Sequence, residues 1–188
     1  MVKAAYAVFC SQGFSVPLTT VAAEAGVAVQ TLYFTFHNKT TLLKEAHDYA
    51  VLGDSNTPPD QSAWFEAMER ETDMRRAVEL MLAGTREIFE RIGPLLPVLQ
   101  AAATGDPEIA GFLADREGLR VDGYRRLIAM LARKGGLRPE LSESEATDLA
   151  LVLCGPDVFR LTTAGRGWSS DEWQQRIARV LGDALLGP

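Results

Sequence analysis

The sequence predicts an all-α protein: an N-terminal three-helix unit built on a helix-turn-helix, followed by a C-terminal helical bundle. Three observations carry that prediction. Apolar residues return at steps of three and four over long stretches, most regularly through Met74, Ala77, Val78, Met81, Leu82, Ile88, Phe89 and Ile92. No stretch sustains the alternation of a half-buried strand, and no repeat recurs at a fixed period. Breakers containing Gly or Pro divide the chain into segments of helix length, at Gly13, Gly26, 53–60, Gly93-Pro94, Gly105-Asp106-Pro107 and Gly135-Gly136.

Taken in order, the first helix is expected over Lys3 to Ser11, with Ala5, Val8 and Phe9 inward; Gly13 stops it and Phe14 packs back onto it. Pro17 suits the first turn of the second helix, where its missing N–H is not needed. Val16 then occupies the cap position and supplies no side-chain oxygen. Gly26 can take a positive φ without a Cβ clash and so reverses the chain. A third short helix follows over Ala28 to Thr35. Asn38 is a good N-cap for a fourth, which carries Leu42, Leu43, Ala46, Tyr49 and Ala50 as its apolar stripe.

GDSNTPPD (53–60) is the clearest linker. After it come helices expected over about 61–71, from Met74 to Ile92, over 95–104 with an early Pro97, and from Glu108 to Lys134 with Phe112, Val121, Tyr124, Leu127, Ile128 and Leu131 inward. Ser142 with Glu145 and Ser169 with Glu172 both fit the capping box. They open two last helices, 143–164 (interrupted near Gly155-Pro156) and 170–186.

At 188 residues the chain is long enough to bury a substantial core, and no apolar run approaches the ~20 residues that span a bilayer. It has no secretory leader pattern, so a cytoplasmic protein with no membrane partner is expected. Cys10 and Cys154 form no C-x-x-C pair, which favours reduced thiols over a disulfide. With those two and only His37 and His47, a metal site is not expected, and no motif calls for a cofactor. Both histidines are read as surface residues, and the carboxylates Glu66, Glu69, Glu71 and Asp73 as a solvated helix face. An enzyme would need a metal constellation or a nucleophile–base pair, and neither is present. The expectation is therefore a non-enzyme.

Two short helices meeting across a tight turn form the unit that presents its second helix to a DNA major groove. The run AEAGVAVQTLYFTF-HNK-TTLL resembles the helix-turn-helix of TetR-like (tetracycline-repressor-like) transcriptional regulators. The resemblance rests on Ala22, Ala25, Gly26, Val27, Thr31, Leu32, Tyr33, Phe36, Lys39, Leu42 and Leu43 in one register. AAYAVFCSQGF (4–14) is similar to that family's first helix. GLRPELSESEATDL, GRGWSSDEW and LGDALL are similar to the tail of many bacterial members.

The resemblance implies a DNA-binding domain over 1–48 and a helical effector-binding and dimerisation domain over 49–188. Within the first, Gln30 can pair with an adenine edge, while Ala28, Val29 and the Thr31 methyl can touch thymine methyl groups. Thr19, Tyr33 and Lys39 match positions that contact phosphate in the family. Thr35 stands where a His is common, and His37 lies near the phosphates. Lys3, Lys39 and Lys44 balance Glu24, Glu45 and Asp48 over the first 52 residues, so the excess negative charge of the chain, net −6, lies beyond them. A neutral head attracts DNA weakly. Family members carry a basic arm before the first helix, so either the natural start lies upstream of Met1, which is the expectation, or the operator is bound more weakly than is usual in the family.

In the second domain, Trp64, Met68, Met81, Phe89, Tyr124 and Phe159 are candidates to line a pocket for a small hydrophobic effector, with Arg86, Arg125 and Asp157 to orient it. Otherwise they are core. Leu149, Val152, Trp173, Ile177, Val180 and Leu181 on the last helices are candidates for a homodimer interface, or else for packing within one chain. The function implied is a ligand-responsive repressor that binds a palindromic double-stranded DNA operator as a homodimer.

Overall fold

A computed structural model describes residues 1–187. In chain order its helices are α1 (Val2–Gln12), α2 (Leu18–Ala25), α3 (Val29–Phe36), α4 (Lys39–Leu52), α5 (Ala63–Arg70), α6 (Met74–Ile92), α7 (Leu96–Ala103), α8 (Pro107–Arg133), α9 (Glu143–Leu153), α10 (Pro156–Arg166) and α11 (Ser170–Leu185). The described residues contain no strand, only one antiparallel bridge between Leu137 and Leu186. They fall into two compact units. One comprises Met1–Asn56 with Arg91–Arg116, and the other comprises Thr57–Glu90 with the chain from Glu117 on.

In the first unit, α1 buries Ala5, Val8 and Phe9, and Phe14 returns to set its ring 5.9 Å from that of Phe9. Pro17 departs from expectation. It is the extended N-cap of α2 (φ −64°, ψ 146°), and α2 starts one residue later. A residue before proline is driven to extended backbone, so Val16 packs inward instead of capping. Asn38 caps α4 as expected, its Oδ1 accepting from the Thr41 N–H at 2.7 Å. At the other end of α4, Arg91 donates from Nε to the Ala50 carbonyl (2.8 Å) and from Nη2 to that of Val51 (3.1 Å). Helix termini leave such carbonyls without intrahelical partners. The Tyr6 hydroxyl in turn donates to the Arg91 carbonyl at 2.6 Å.

Thr40, Lys44 and Asp48 recur at four-residue steps, so they share one face of α4. Thr40 donates to Asp106 at 3.0 Å, Lys44 pairs with Glu108 at 2.7 Å, and Arg116 pairs with Asp48 at 2.6 Å. His47 corrects the expectation of a surface histidine. It is 8% exposed, stands edge-on to Phe112 at 5.1 Å, and places Nδ1 2.9 Å from Asp48 Oδ1. An imidazole can bury its ring while its polar edge keeps a partner.

In the second unit, Ser62 caps α5, and Lys134 donates to the carbonyls of Met68 (2.8 Å) and Glu71 (2.7 Å) at its far end. The Trp64 indole lies against α6 at Gly84, where an added Cβ would fall 2.1 Å from Trp64 Cδ2; this contact requires glycine. Both expected capping boxes form, Ser142 with Glu145 and Ser169 with Glu172. The interruption at Gly155-Pro156 separates two helices, with Pro156 in the first turn of α10. Phe89, Phe159 and Trp173 pack ring to ring with centroids 5.1 to 5.9 Å apart. The buried Tyr124 hydroxyl donates to the Cys154 carbonyl at 3.2 Å. Burial pushes the Cys154 thiol up to about 12, which leaves it unreactive at neutral pH.

Candidate nucleic-acid interface

The turn between α2 and α3 is made by Gly26 at φ 66°, ψ 31°, a left-handed conformation that closes α2 with the Gly26 N–H on the Ala22 and Ala23 carbonyls. The Val27 N–H also reaches the Ala22 carbonyl, at 3.0 Å. Two anchors then hold α3. Leu32 is 1% exposed and Phe36 8%, one turn apart on the inner side. With these fixed, the rest of α3 has no choice of face: Gln30, Thr31, Tyr33, Phe34 and Thr35 all reach solvent, and Val29 is half-buried. Ala28 is the extended N-cap and is exposed.

The polar groups differ in how free they are. The Thr35 hydroxyl donates to the Thr31 carbonyl at 2.9 Å, so its proton is committed to the helix. His37 follows α3 with a positive φ of 62°, rare for a residue with a Cβ, and is exposed. Thr19 is exposed in the first turn of α2. Lys39 is half-buried, with its ammonium 4.8 Å above the Phe14 ring, and desolvation lowers its pKa. The other two lysines of the head are also engaged: Lys3 with Asp54 at 3.3 Å, and Lys44 with Glu108.

One exposed residue was missed by the sequence reading. Phe34 is 87% exposed, more than any other large apolar side chain described. The signal was available, because two positions from each of two buried anchors is about 200° around a helix.

In the second unit, Met68, Met81, Phe89, Tyr124 and Phe159 are buried, while Trp64 is half-exposed. Arg86 is bound to Glu90, Asp171 and Gln174, and Arg125 to Asp122, which leaves Asp157 as the uncommitted member of the expected orienting set. The six candidate dimer residues separate cleanly. Trp173, Ile177 and Leu181 are buried within the single chain, whereas Leu149 (38%), Val152 (67%) and Val180 (46%) are exposed. Among the described residues no group of three or more His, Cys, Asp or Glu could hold a metal ion, and no helix is long and apolar enough to cross a membrane.

A rigid turn, two buried anchors and an outward second helix define the class: a helix-turn-helix DNA-binding protein. Residues 1–46 match the family model described as bacterial regulatory proteins, tetR family. The match is confined to this N-terminal segment, which is similar to the DNA-binding segment of those regulators. No curated protein matches the sequence. Over the whole chain, the fold is shared with solved structures of low sequence identity. A protein from Rhodococcus sp. described as a TetR-family transcriptional regulator is 18% identical with a TM-score of 0.74, covering 99% of this chain and 96% of that one. A transcriptional regulator from Saccharomonospora viridis in complex with choline is 16% identical with a TM-score of 0.73, covering 100% and 96%. The regulator FadR from Bacillus subtilis in complex with stearoyl-CoA is 13% identical with a TM-score of 0.72, covering 97% and 96%.

Proposed function

We propose that this chain is a ligand-responsive repressor that acts in the cytoplasm and binds a palindromic operator as a homodimer. The observation that carries the reading is the outward face of α3, where Gln30, Thr31 and Tyr33 stand exposed over the buried Leu32 and Phe36. Gln30 pairs with an adenine edge, and the Tyr33 hydroxyl, Thr19 and Lys39 reach for phosphate. Two-fold symmetry repeats this face for a second half-site. The exposed Leu149, Val152 and Val180 supply apolar area for a subunit interface.

An apolar effector held in the second unit weakens operator binding if it prefers the arrangement of heads that fits DNA poorly. Support comes from the methionine and aromatic content of that unit and from two structural neighbours solved with choline and with stearoyl-CoA. The test is a mobility shift of fragments from the chain's own promoter region at low salt, with Gln30→Ala and Tyr33→Ala variants alongside. Retarded wild type and weakened variants support the reading; wild type that binds no more tightly than the variants defeats it. Sedimentation of wild type and Val152→Glu checks the dimer, with the glutamate variant expected as a monomer.

A further inference from the structure

We propose that Phe34 is a specificity-determining residue that reads the C5-methyl group of a pyrimidine in the major groove. The inference rests on the DNA-binding reading above and adds the chemistry recognised. Phe34 stands at the outward pole of α3, one turn from Gln30, and is 87% exposed. Its ring has neither donor nor acceptor. Of the groups a base pair displays in the major groove, only the pyrimidine methyl offers an apolar side chain something to recognise.

The charge pattern of the head points the same way. Between Lys3 and Lys39 there is no lysine or arginine, so neither α2 nor α3 can make the bidentate cation contact to guanine that most often supplies specificity. The remaining groups on α3 are an amide, hydroxyls and this ring. A protein partner is the competing occupant for an exposed aromatic, but the exposed neighbours of Phe34 on α3 are Gln30, Thr31, Thr35 and Tyr33, each of which carries a polar group. A wholly apolar ring among side chains that end in polar groups suits a single methyl better than a dry protein interface.

The methyl group belongs to thymine or to 5-methylcytosine, and the experiment separates them. The full chain is used to select duplexes from a random library, once unmodified and once methylated at cytosine. In the selected duplex each thymine is replaced in turn by deoxyuridine, or each 5-methylcytosine by cytosine, so that one methyl group is the only change. Wild type is expected to lose about fourfold in affinity at one position per half-site (~0.8 kcal/mol). Phe34→Ala is expected to bind the methylated and demethylated duplexes alike, and Phe34→Leu to keep part of the difference. Sensitivity confined to uridine identifies thymine, and sensitivity confined to cytosine identifies 5-methylcytosine.

The proposal is overturned if wild type is indifferent to every single methyl, or if Phe34→Ala keeps the wild-type sensitivity. A change in sedimentation of free Phe34→Ala assigns the ring to a protein contact and also overturns it. Failure of wild type to select any duplex defeats the DNA-binding reading itself, a result distinct from indifference to the methyl.

Discussion

On the proposed reading, the three lysines of the head offer DNA little net attraction, and this has a measurable consequence in its salt dependence. Each phosphate neutralised by a lysine releases condensed counterions and adds about −0.9 to the slope of log K against log salt. The head of each protomer has three lysines before residue 53. Lys44 is three-quarters buried and bound to Glu108 at 2.7 Å, so it is unavailable. Lys3 pairs with Asp54, but both side chains are more than 70% exposed, a geometry that gives way readily to a competing phosphate. Lys39 has no carboxylate partner among the contacts around it. One to two contacts per head, doubled by the proposed two-fold symmetry, give a slope of about −2 to −4. Raising salt from about 50 to about 200 mM should then cost roughly 12-fold to 150-fold in affinity, against roughly 10³ to 10⁵ for binders with six to ten contacts. Fluorescence anisotropy with a selected duplex across that range measures the slope directly. A slope steeper than about −5.4 exceeds what all six lysines of two heads can supply and refutes this count.

Three further outcomes probe the scaffold. Replacing Arg91 with Met keeps the aliphatic stem and removes the two donors to Ala50 and Val51; a loss of about 2–3 kcal/mol is expected, with faster amide exchange at Gly53. Unchanged exchange would show that the guanidinium does not close α4. Leu32→Ala empties a site 1% exposed and should lower stability by about 2–5 kcal/mol, whereas Phe34→Ala should leave the urea midpoint in place. Burial alone would raise the Asp48 carboxyl, but the His47 hydrogen bond and the Arg116 guanidinium outweigh it and hold it below the usual carboxylate range. A depressed folded-state pKa stabilises above the unfolded value and is lost as pH falls through the folded one. The advantage of wild type over Asp48→Asn in urea midpoint should therefore be full near pH 6 and shrink below about pH 4. A gap that stays constant across that range would rule out the carboxylate as its source.

Local signals recovered most of the secondary structure. The caps at Asn38, Ser142 and Ser169, the left-handed Gly26 and the break at Gly155-Pro156 all depend on residues within four positions of one another, which is the range periodicity and capping rules cover. Pairings over long separations were not legible. The burial of His47 depends on Phe112, and the closure of α4 depends on Arg91; no spacing in the sequence links residues so far apart. For the same reason, the membership of Arg91–Arg116 in the compact unit that holds the helix-turn-helix could not be read from composition.

Phe34 belongs to neither group, and the reason it was missed is instructive about the candidate site. Its position was fully determined by Leu32 and Phe36, yet a large apolar residue on a helix is assigned to the core by habit of type. Type and position disagree here, and position prevails because α3 has only eight residues and two anchors already orient it. Leaving a phenyl ring in water costs the free protein favourable burial, and the first 52 residues carry no net positive charge to compensate in affinity. A ring kept outward under those conditions is most useful where its desolvation is recovered on binding, so the weakness of the electrostatic attraction and the exposure of Phe34 have one common explanation: discrimination by apolar contact rather than by cations.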